Sequence, residues 1–310
     1  MKKSSFKPLF QSKNLLSYLD VRNIDYSSFN LVGKNVDELV LKGIKHILNN
    51  GEIIYVRAGT ALQAYGVNYY LLNSRDRIHN IRSPKSVQYI TREFIAYFLG
   101  SLKVDDGLSH ASKFWAKLAD ENGCIYSNYG FYVFYQKVPG LNGKQTTQYQ
   151  WCLDLLKKNL DTRRAIININ QPSHKADSKD FPCTISIQFF TRIVNGKKTL
   201  CCEVKSRSTD VITGLPYDMG FFSFLLELIY THLKEGNPKL DLELGYTTMQ
   251  PTFTQIYDHG ISRAKKIIES KNKPQNLKMP KIKNAKLLLK DIYNNSTNHD
   301  FIKWIHKYSK

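Results

Sequence analysis

A cysteine in the middle of the sequence is a candidate for covalent chemistry. Cys183 follows Pro182 directly and stands at the start of a predicted β-strand. A free cysteine is most often an inert packing residue, but its thiolate is a good nucleophile when a cation lies nearby. Its position alone does not choose between these two roles.

Arginines flank two of the predicted strands, where they could bind an anion. Arg163 and Arg164 precede one strand, and Arg207 with Ser208 follows another. Arginines at the ends of elements are usually solvated. The planar guanidinium group nevertheless matches a phosphate better than an ammonium group does. The pattern is therefore compatible with phosphate binding without requiring it.

Two carboxylates surround a turn that precedes an apolar helix. The segment 207–218 contains Asp210 and Asp218 on either side of a turn that includes Gly214 and Pro216. Carboxyl groups in such a place could exchange protons with a ligand or accept its hydrogen bonds. Taken alone, this feature is as weak a signal as the other two.

Hydrophobic periodicity predicts the elements that must position these side chains. Helices are predicted over 36–48, 86–99, 110–118, 145–159 and 220–233. Strands are predicted over 53–56, 165–170, 183–193, 199–205, 240–249 and 287–293, with a hairpin turn at Asn195-Gly196. The mixture predicts an α+β fold built around a β-sheet.

The chain has 310 residues, of which 42% are apolar and 12% aromatic, enough to form a packed core. Residues 1–33 are polar and irregular, which predicts an N-terminal extension. No Gly/Ser-rich or Pro-rich linker interrupts the rest. The remaining residues, 34–310, are therefore predicted to form one domain.

The charge of the chain is +19, which attracts polyanions without choosing among them. Lysines are scattered from residue 265 to 290, with little aromatic interleaving. This pattern favours a solvated lysine surface over a dedicated nucleic-acid face.

Several classes of protein are not expected. No apolar run is long enough to span a membrane, and the N-terminus lacks the apolar region of a secretory signal. The five cysteines fit a reducing cytoplasm better than a disulfide scaffold. Cys201 and Cys202 are adjacent and lack ligand spacing, so no metal site is expected. His174, in the loop before Cys183, is expected to be a surface residue.

Read in order, the motifs of this chain resemble those of the thymidylate synthase family over residues 36–304. The motifs that carry the resemblance are Arg57-Ala58-Gly59-Thr60, Glu93, Trp115, Tyr129-Gly130, Arg163-Arg164, Pro182-Cys183 and the segment from Arg207 to Asp218. The stretch 161–218 is the most specific part.

The resemblance implies an α+β catalytic domain at 34–310, with a mixed β-sheet flanked by helices and two copies dimerising through the sheet. It implies 5,10-methylenetetrahydrofolate as the one-carbon donor. The implied roles are catalysis for Cys183, Glu93 and Asp218, substrate binding for Arg57, Arg207, Ser208, Tyr129 and Tyr257, phosphate binding for Arg163 and Arg164 of the partner subunit, and folate binding for Trp115, Asp210 and Gly214.

Two departures from the synthase pattern indicate a cytosine nucleotide. The synthases have Asn where this chain has Asp218, and His where it has Thr184. A carboxyl group suits cytosine because it accepts from the exocyclic amine and shares a proton with the ring nitrogen. Both residues resemble those of the cytidylate and deoxycytidylate hydroxymethylases. The alternative is a neutral replacement in a uridylate enzyme.

A third departure concerns the sugar. The synthases hold the 3′-hydroxyl with an Asp-x-His-x-Tyr motif, whereas this chain has Phe253, Gln255 and Tyr257 at the matching positions. Sugar recognition is thus partly rebuilt, which favours CMP without excluding dCMP.

The expected reaction is 5-hydroxymethylation of CMP or dCMP. The resemblance implies attack of Cys183 on carbon 6 of the pyrimidine and transfer of the one-carbon unit to carbon 5. Water then adds to the resulting exocyclic methylene group in place of hydride. Two alternatives stay open, which are methylation of dUMP and a non-catalytic protein that binds nucleic acid.

Overall fold

The computed structural model describes residues 28–56, 58–81, 83, 85–141, 143–175, 179–270 and 277–310. Arg57, which was predicted to bind phosphate, lies outside these ranges, as do residues 1–27 of the predicted extension and residues 271–276 of the lysine-rich stretch.

Within the described ranges the strands are β1 (Phe29–Gly33), β2 (Glu52–Val56), β3 (Gly59–Tyr65), β4 (Val67–Leu71), β5 (Lys137–Pro139), β6 (Gln145–Thr147), β7 (Ile166–Asn168), β8 (Thr184–Val194), β9 (Lys197–Asp210) and β10 (Glu243–Tyr257). The α-helices are α1 (Val36–Asn50), α2 (Lys85–Leu99), α3 (Leu108–Ala111), α4 (Lys113–Ala116), α5 (Gln148–Lys158), α6 (Leu215–Gly236), α7 (Asp258–Glu269), α8 (Ala285–Asn294) and α9 (Asp300–Tyr308). A π-helical turn covers Phe131–Tyr135.

The main sheet is mixed, as predicted, and has the order β1-β4-β10-β9-β8-β7, with β3 and β2 added beside β10. The long strand β10 runs parallel to β9. On its other side it pairs antiparallel with β4 first and with β3 further along. Strands β8 and β9 form the predicted hairpin, whose turn residues Asn195 and Gly196 both have positive φ.

The core lies between this sheet and the helices α1 and α6, and α2 packs against α6. Helix α6 follows Gly214, carries Pro216 in its first turn, and is buried on most sides. A Cβ on Gly220 would overlap the end of the Ile90 side chain, so this glycine allows α6 to lie directly against α2. The two helices carry Asp218 and Glu93 respectively.

Most predicted elements are confirmed to within a few residues, but some are not. The strand predicted over 287–293 is wrong, because this segment is helix α8, whose Asn284 caps it by accepting from the amide of Leu287. Its buried apolar residues Ala285, Leu288, Leu289 and Ile292 follow a helical spacing that places them in the core. The helix predicted over 110–118 is split at Ser112, which caps α4.

The boundary of the predicted extension crosses a strand. Residues 29–33 form β1, which pairs in parallel with β4, and these five residues are therefore part of the sheet. Among the described helices, none is both long and apolar enough to cross a membrane.

Candidate active site

Cys183 lies immediately before strand β8, next to an irregularity in its pairing with β9. Its carbonyl accepts hydrogen bonds from the amide of Arg207 (2.8 Å) and from the hydroxyl of Ser206 (2.8 Å). Its thiol lies 3.8 Å from the Ser208 hydroxyl. Because a bulge re-aims the side chains beside it, the hairpin brings the predicted nucleophile and Ser208 together.

Arg207 holds the loop that carries the nucleophile. Its Nη2 donates to the carbonyl of Phe181 (2.7 Å) and its Nε to that of Pro182 (3.2 Å). The guanidinium also lies 5.4 Å from the centre of the Phe181 ring. Burial raises the pKa of the Cys183 thiol, and the Arg207 charge opposes this rise. The Arg207 guanidinium is thus close enough for its charge to act on the Cys183 thiol.

A second support of this loop, Asp180, was not predicted. Its carboxylate accepts from the amides of Tyr126 (2.6 Å) and Ser127 (2.8 Å) and from the Ser127 hydroxyl (2.6 Å). Nothing in the local sequence indicates these partners, because they lie more than fifty positions away in the chain. Asp180 ties the nucleophile loop to the segment that leads to Tyr129.

The expectation that His174 lies at the surface is wrong. His174 is buried, its Nδ1 accepts from the amide of Gln171, and its Nε2 lies 2.9 Å from the Tyr132 hydroxyl. Burial lowers the pKa of this imidazole. It packs against Tyr126 and therefore supports the loop as a neutral side chain.

Asp218 and Glu93 face the same site from α6 and α2. The pKa of Asp218 is raised well above its usual range, mainly by burial and secondly by the nearby charge of Glu93. Burial also raises the pKa of Glu93, to about 7, while a hydrogen bond from Tyr89 lowers it. The charge of Asp218 acts in turn on Cys183. The structure therefore brings together all three predicted catalytic residues.

Tyr129 is buried beside the nucleophile. Its ring stacks on Tyr97 of α2 and on Phe222 of α6. Burial raises the pKa of its hydroxyl, and the charges of Asp218 and Cys183 raise it further. A Cβ on the next residue, Gly130, would overlap the Tyr97 backbone, which explains why a glycine follows this tyrosine.

Tyr257 ends strand β10 close to the same site. Burial raises its pKa, and the charges of Asp210 and Cys183 add to the effect, while a hydrogen bond with Gln255 lowers it. Gln255 is buried, and its Oε1 atom has no hydrogen-bond partner among the described residues. An unpartnered buried amide oxygen is costly unless a ligand donates to it.

The residues predicted to bind folate lie on three elements, with Trp115 on α4, Asp210 at the end of β9 and Gly214 directly before α6. Trp115 is half-buried, and Asp210 accepts at a single carboxylate oxygen from the amides of Ile212 and Thr213. A Cβ on Gly214 would lie 3.1 Å from the Asp210 carbonyl oxygen, so a side chain at this position would be tightly confined. An accessible indole face and a carboxylate fit a flat heteroaromatic group with N–H donors.

Arg163 and Arg164 are not brought to Cys183 within the chain. Both are exposed at the start of β7, where the Arg163 carbonyl accepts from Gln188 and the Arg164 guanidinium lies 5.7 Å from the Trp151 ring. Gln188 stands five positions beyond Cys183 along the extended strand β8. Arg163, which is bonded to Gln188, is therefore separated from Cys183 by the length of this segment.

The cysteines other than Cys183 are mostly packing residues of the core. All five are free of disulfides, and Cys152, Cys201 and Cys202 are buried. Over the part of the chain that the structure describes, no group of three or more His, Cys, Asp or Glu side chains is arranged to hold a metal ion.

Comparison with known proteins agrees with this geometry. A family model described as "Thymidylate synthase" matches residues 40–303. The deoxycytidylate 5-hydroxymethyltransferase of Enterobacteria phage T6 is 31% identical over 163 residues, which are 51% of this chain and 62% of that protein. The protein of the same name from Enterobacteria phage T4 is 30% identical over the same shares. The matched region thus spans less than two thirds of these relatives. This chain belongs to the thymidylate synthase family.

Proposed function

We propose that the protein is a folate-dependent 5-hydroxymethyltransferase that converts CMP or dCMP to its 5-hydroxymethyl product. The observation that carries this proposal is the presence of Asp218, a carboxyl group, on the first turn of α6 beside both Cys183 and Glu93. The similarity to two phage deoxycytidylate 5-hydroxymethyltransferases supports it.

Cys183 is the nucleophile of the proposed reaction. Its thiolate attacks carbon 6 of the pyrimidine, forming a carbon–sulfur bond, and negative charge moves through the ring toward N3 and the exocyclic nitrogen. Arg207 favours the thiolate, although burial opposes it. Attack makes carbon 5 nucleophilic, and the bond to sulfur breaks again when the double bond between carbons 5 and 6 is restored.

Asp218 recognises the base and receives the developing charge. Burial and the nearby charge of Glu93 raise the pKa of Asp218, which favours its neutral carboxyl form. The hydroxyl of a neutral carboxyl donates to N3 of cytosine, while its carbonyl accepts from the exocyclic amine. As charge accumulates on the ring, the same proton moves toward N3.

Glu93 moves the proton at carbon 5. With a pKa of about 7 it is divided between both forms near neutral pH, as a general acid–base group should be. When bound beside Trp115, Asp210 and Gly214, 5,10-methylenetetrahydrofolate supplies a one-carbon unit at the oxidation level of formaldehyde. Ionised Glu93 accepts the proton that leaves carbon 5, and tetrahydrofolate would depart as the leaving group of the one-carbon unit. Glu93 also orients the water whose hydroxyl group joins that unit, while the bond from Cys183 to carbon 6 breaks.

The phosphate is assigned to Arg57, Arg207 and Ser208, with Arg163 and Arg164 of the partner subunit. Three of the five N–H donors of Arg207 are engaged within the chain, so two are left for a phosphate. The exposed arginine pair is far from Cys183 in its own chain, which supports a homodimer that shares this site. The free cysteines support a cytoplasmic location.

Gln255 and Tyr257 are assigned to the sugar. The unpartnered Oε1 of Gln255 would accept a hydrogen bond from a sugar hydroxyl, which a ribose supplies in greater number than a deoxyribose. We therefore propose CMP ahead of dCMP.

The test is incubation of the pure protein with 5,10-methylenetetrahydrofolate and CMP, dCMP, UMP or dUMP in turn, with products identified by mass spectrometry. A hydroxymethyl group on a cytosine nucleotide, lost in Cys183→Ser and kept in Cys124→Ser, is the expected result. Methylated dUMP would establish the thymidylate synthase type of reaction instead. No product from any nucleotide would overturn the proposal and favour a non-catalytic protein that binds nucleic acid.

A further inference from the structure

A chain of hydrogen bonds joins three side chains at the edge of the site. The indole Nε1 of Trp115 donates to the hydroxyl of Tyr89 (3.2 Å), and that hydroxyl donates to Oε1 of Glu93 (2.7 Å). Tyr89 and Glu93 are four residues apart on α2 and therefore lie on the same face. The Tyr89 ring is held 4.4 Å from the ring of Tyr217 on α6.

The direction of these hydrogen bonds is determined by Trp115, where the series begins. An indole nitrogen is only a donor, so the Tyr89 oxygen must accept from Trp115. A phenol has a single proton, and the Tyr89 proton is consequently directed to Glu93. Oε1 of Glu93 is then an acceptor in both of its protonation states. When Glu93 takes up a proton, that proton belongs on Oε2.

We propose that Tyr89 is a positioning residue, which orients the Glu93 carboxyl group so that Oε2 alone exchanges protons with the reacting nucleotide and its water. Through Trp115 it also links this orientation to the side of the site assigned to folate. The inference rests on the proposed function, because it gives Tyr89 a role in that reaction.

The other groups that face Glu93 do not replace Tyr89. From its own helix the neighbour is Tyr97, and from α6 it is Asp218. Behind them, Tyr217 contacts the Tyr89 ring and Tyr129 stacks on Tyr97. Burial and nearby charges raise the pKa values of Tyr97 and Tyr129 well above their usual range, so both stay neutral. Asp218 is the neighbouring carboxyl group, and its own pKa is also raised.

The test is Tyr89→Phe, which keeps the ring against Tyr217 and removes only the hydroxyl. The ionised form of Glu93 then loses a donor, so its pKa should rise by about one pH unit above the wild-type value. We expect kcat to fall about tenfold through misplacement of the carboxylate, KM for the nucleotide to stay unchanged, and the acidic limb of the pH profile to move upward. Trp115→Phe removes the indole N–H that donates to Tyr89. It should move the acidic limb of the pH profile upward as well, but by less than Tyr89→Phe does.

Tyr149→Phe is the matched control. Tyr149 is a buried tyrosine outside the site, and its hydroxyl lies 3.2 Å from His232. This variant also loses one hydroxyl and one hydrogen bond, so any effect of lower stability alone would appear in it too. We expect its acidic limb to coincide with that of the wild type.

A second readout separates this inference from the proposed function. The chain has three tryptophans, and replacing Trp151 and Trp304 by Phe leaves Trp115 as the only one. Its fluorescence, followed against pH without substrate, should titrate with Glu93 and shift upward in Tyr89→Phe. If this shift occurs in a protein that turns over no nucleotide, the proposed function fails while the link from Tyr89 to Glu93 stands. The inference would be overturned if Tyr89→Phe left the pH midpoint of the Trp115 fluorescence unchanged. It would also be overturned if Tyr89→Phe left the acidic limb of the pH profile unchanged.

Discussion

Gly220 of helix α6 lies against Ile90 of helix α2, so closely that a Cβ on Gly220 would overlap the Ile90 Cδ1 atom. The contact lies where α6, which carries Asp218, packs against α2, which carries Glu93.

Gly220→Ala should therefore destabilise the protein and reduce its activity. Overpacking of a well-filled core costs about 1–3 kcal/mol, which exceeds the gain of about 1 kcal/mol from replacing a helical glycine. Urea unfolding and kcat/KM would measure both effects. Ile90→Val removes the clashing methyl group, so the double variant should recover most of the loss. A fully stable and active Gly220→Ala protein would contradict this account.

The raised pKa of Glu93 predicts how stability depends on pH. The unfolded chain releases this proton near pH 4.5, whereas the folded protein keeps it until about pH 7. Between these values the folded state binds more protons, so stability falls as the pH rises through the window. Above about pH 7, burial of the Glu93 carboxylate lowers the free energy of unfolding by about 3 kcal/mol.

Glu93→Gln should remove this cost. The variant is expected to be inactive, more stable than the wild type at pH 8, and similar to it at pH 4. Thermal unfolding at both pH values measures the difference. Equal stability of the two proteins at pH 8 would show that the Glu93 carboxylate is not strained by burial.

Asp218→Asn should move the base preference from cytosine toward uracil. An amide has no titratable proton to share with N3 of cytosine, but its oxygen accepts from N3–H of uracil and its NH₂ group donates to O4. We expect the ratio of kcat/KM for cytosine and uracil nucleotides to change by about 10- to 100-fold. A ratio identical to that of the wild type would refute the assignment of Asp218.

Arg207→Gln should make Cys183 less reactive. Loss of the guanidinium charge removes the main influence that lowers the pKa of the thiol. Alkylation by iodoacetamide at pH 8 should slow about tenfold, which corresponds to a pKa change of about one unit. Arg192→Gln is the control, because Arg192 is exposed and bonded to Tyr246. Equal alkylation rates in the Arg207→Gln and Arg192→Gln variants would show that the Arg207 charge does not lower the pKa of Cys183.

Local patterns in the sequence determined a large part of this protein. The Pro182-Cys183 pair before a strand, the Asn195-Gly196 turn and the apolar run of α6 each depend on residues close together in the chain, and all three predictions of local structure hold. The run of leucines near residue 287 misled the prediction because a short apolar segment fits a buried strand and a helix equally well.

Only the tertiary structure decided which side chains meet. Asp180 reaches the amide of Tyr126 across more than fifty positions, and Trp115 reaches Tyr89 across 26. Such contacts depend on the packing of helices against a common sheet, which periodicity within one segment does not record. Residue types thus determined the chemistry available to this chain. The packing of α6 against α2 and of the β8–β9 hairpin beside them decided that Cys183, Asp218, Glu93 and Tyr129 come together.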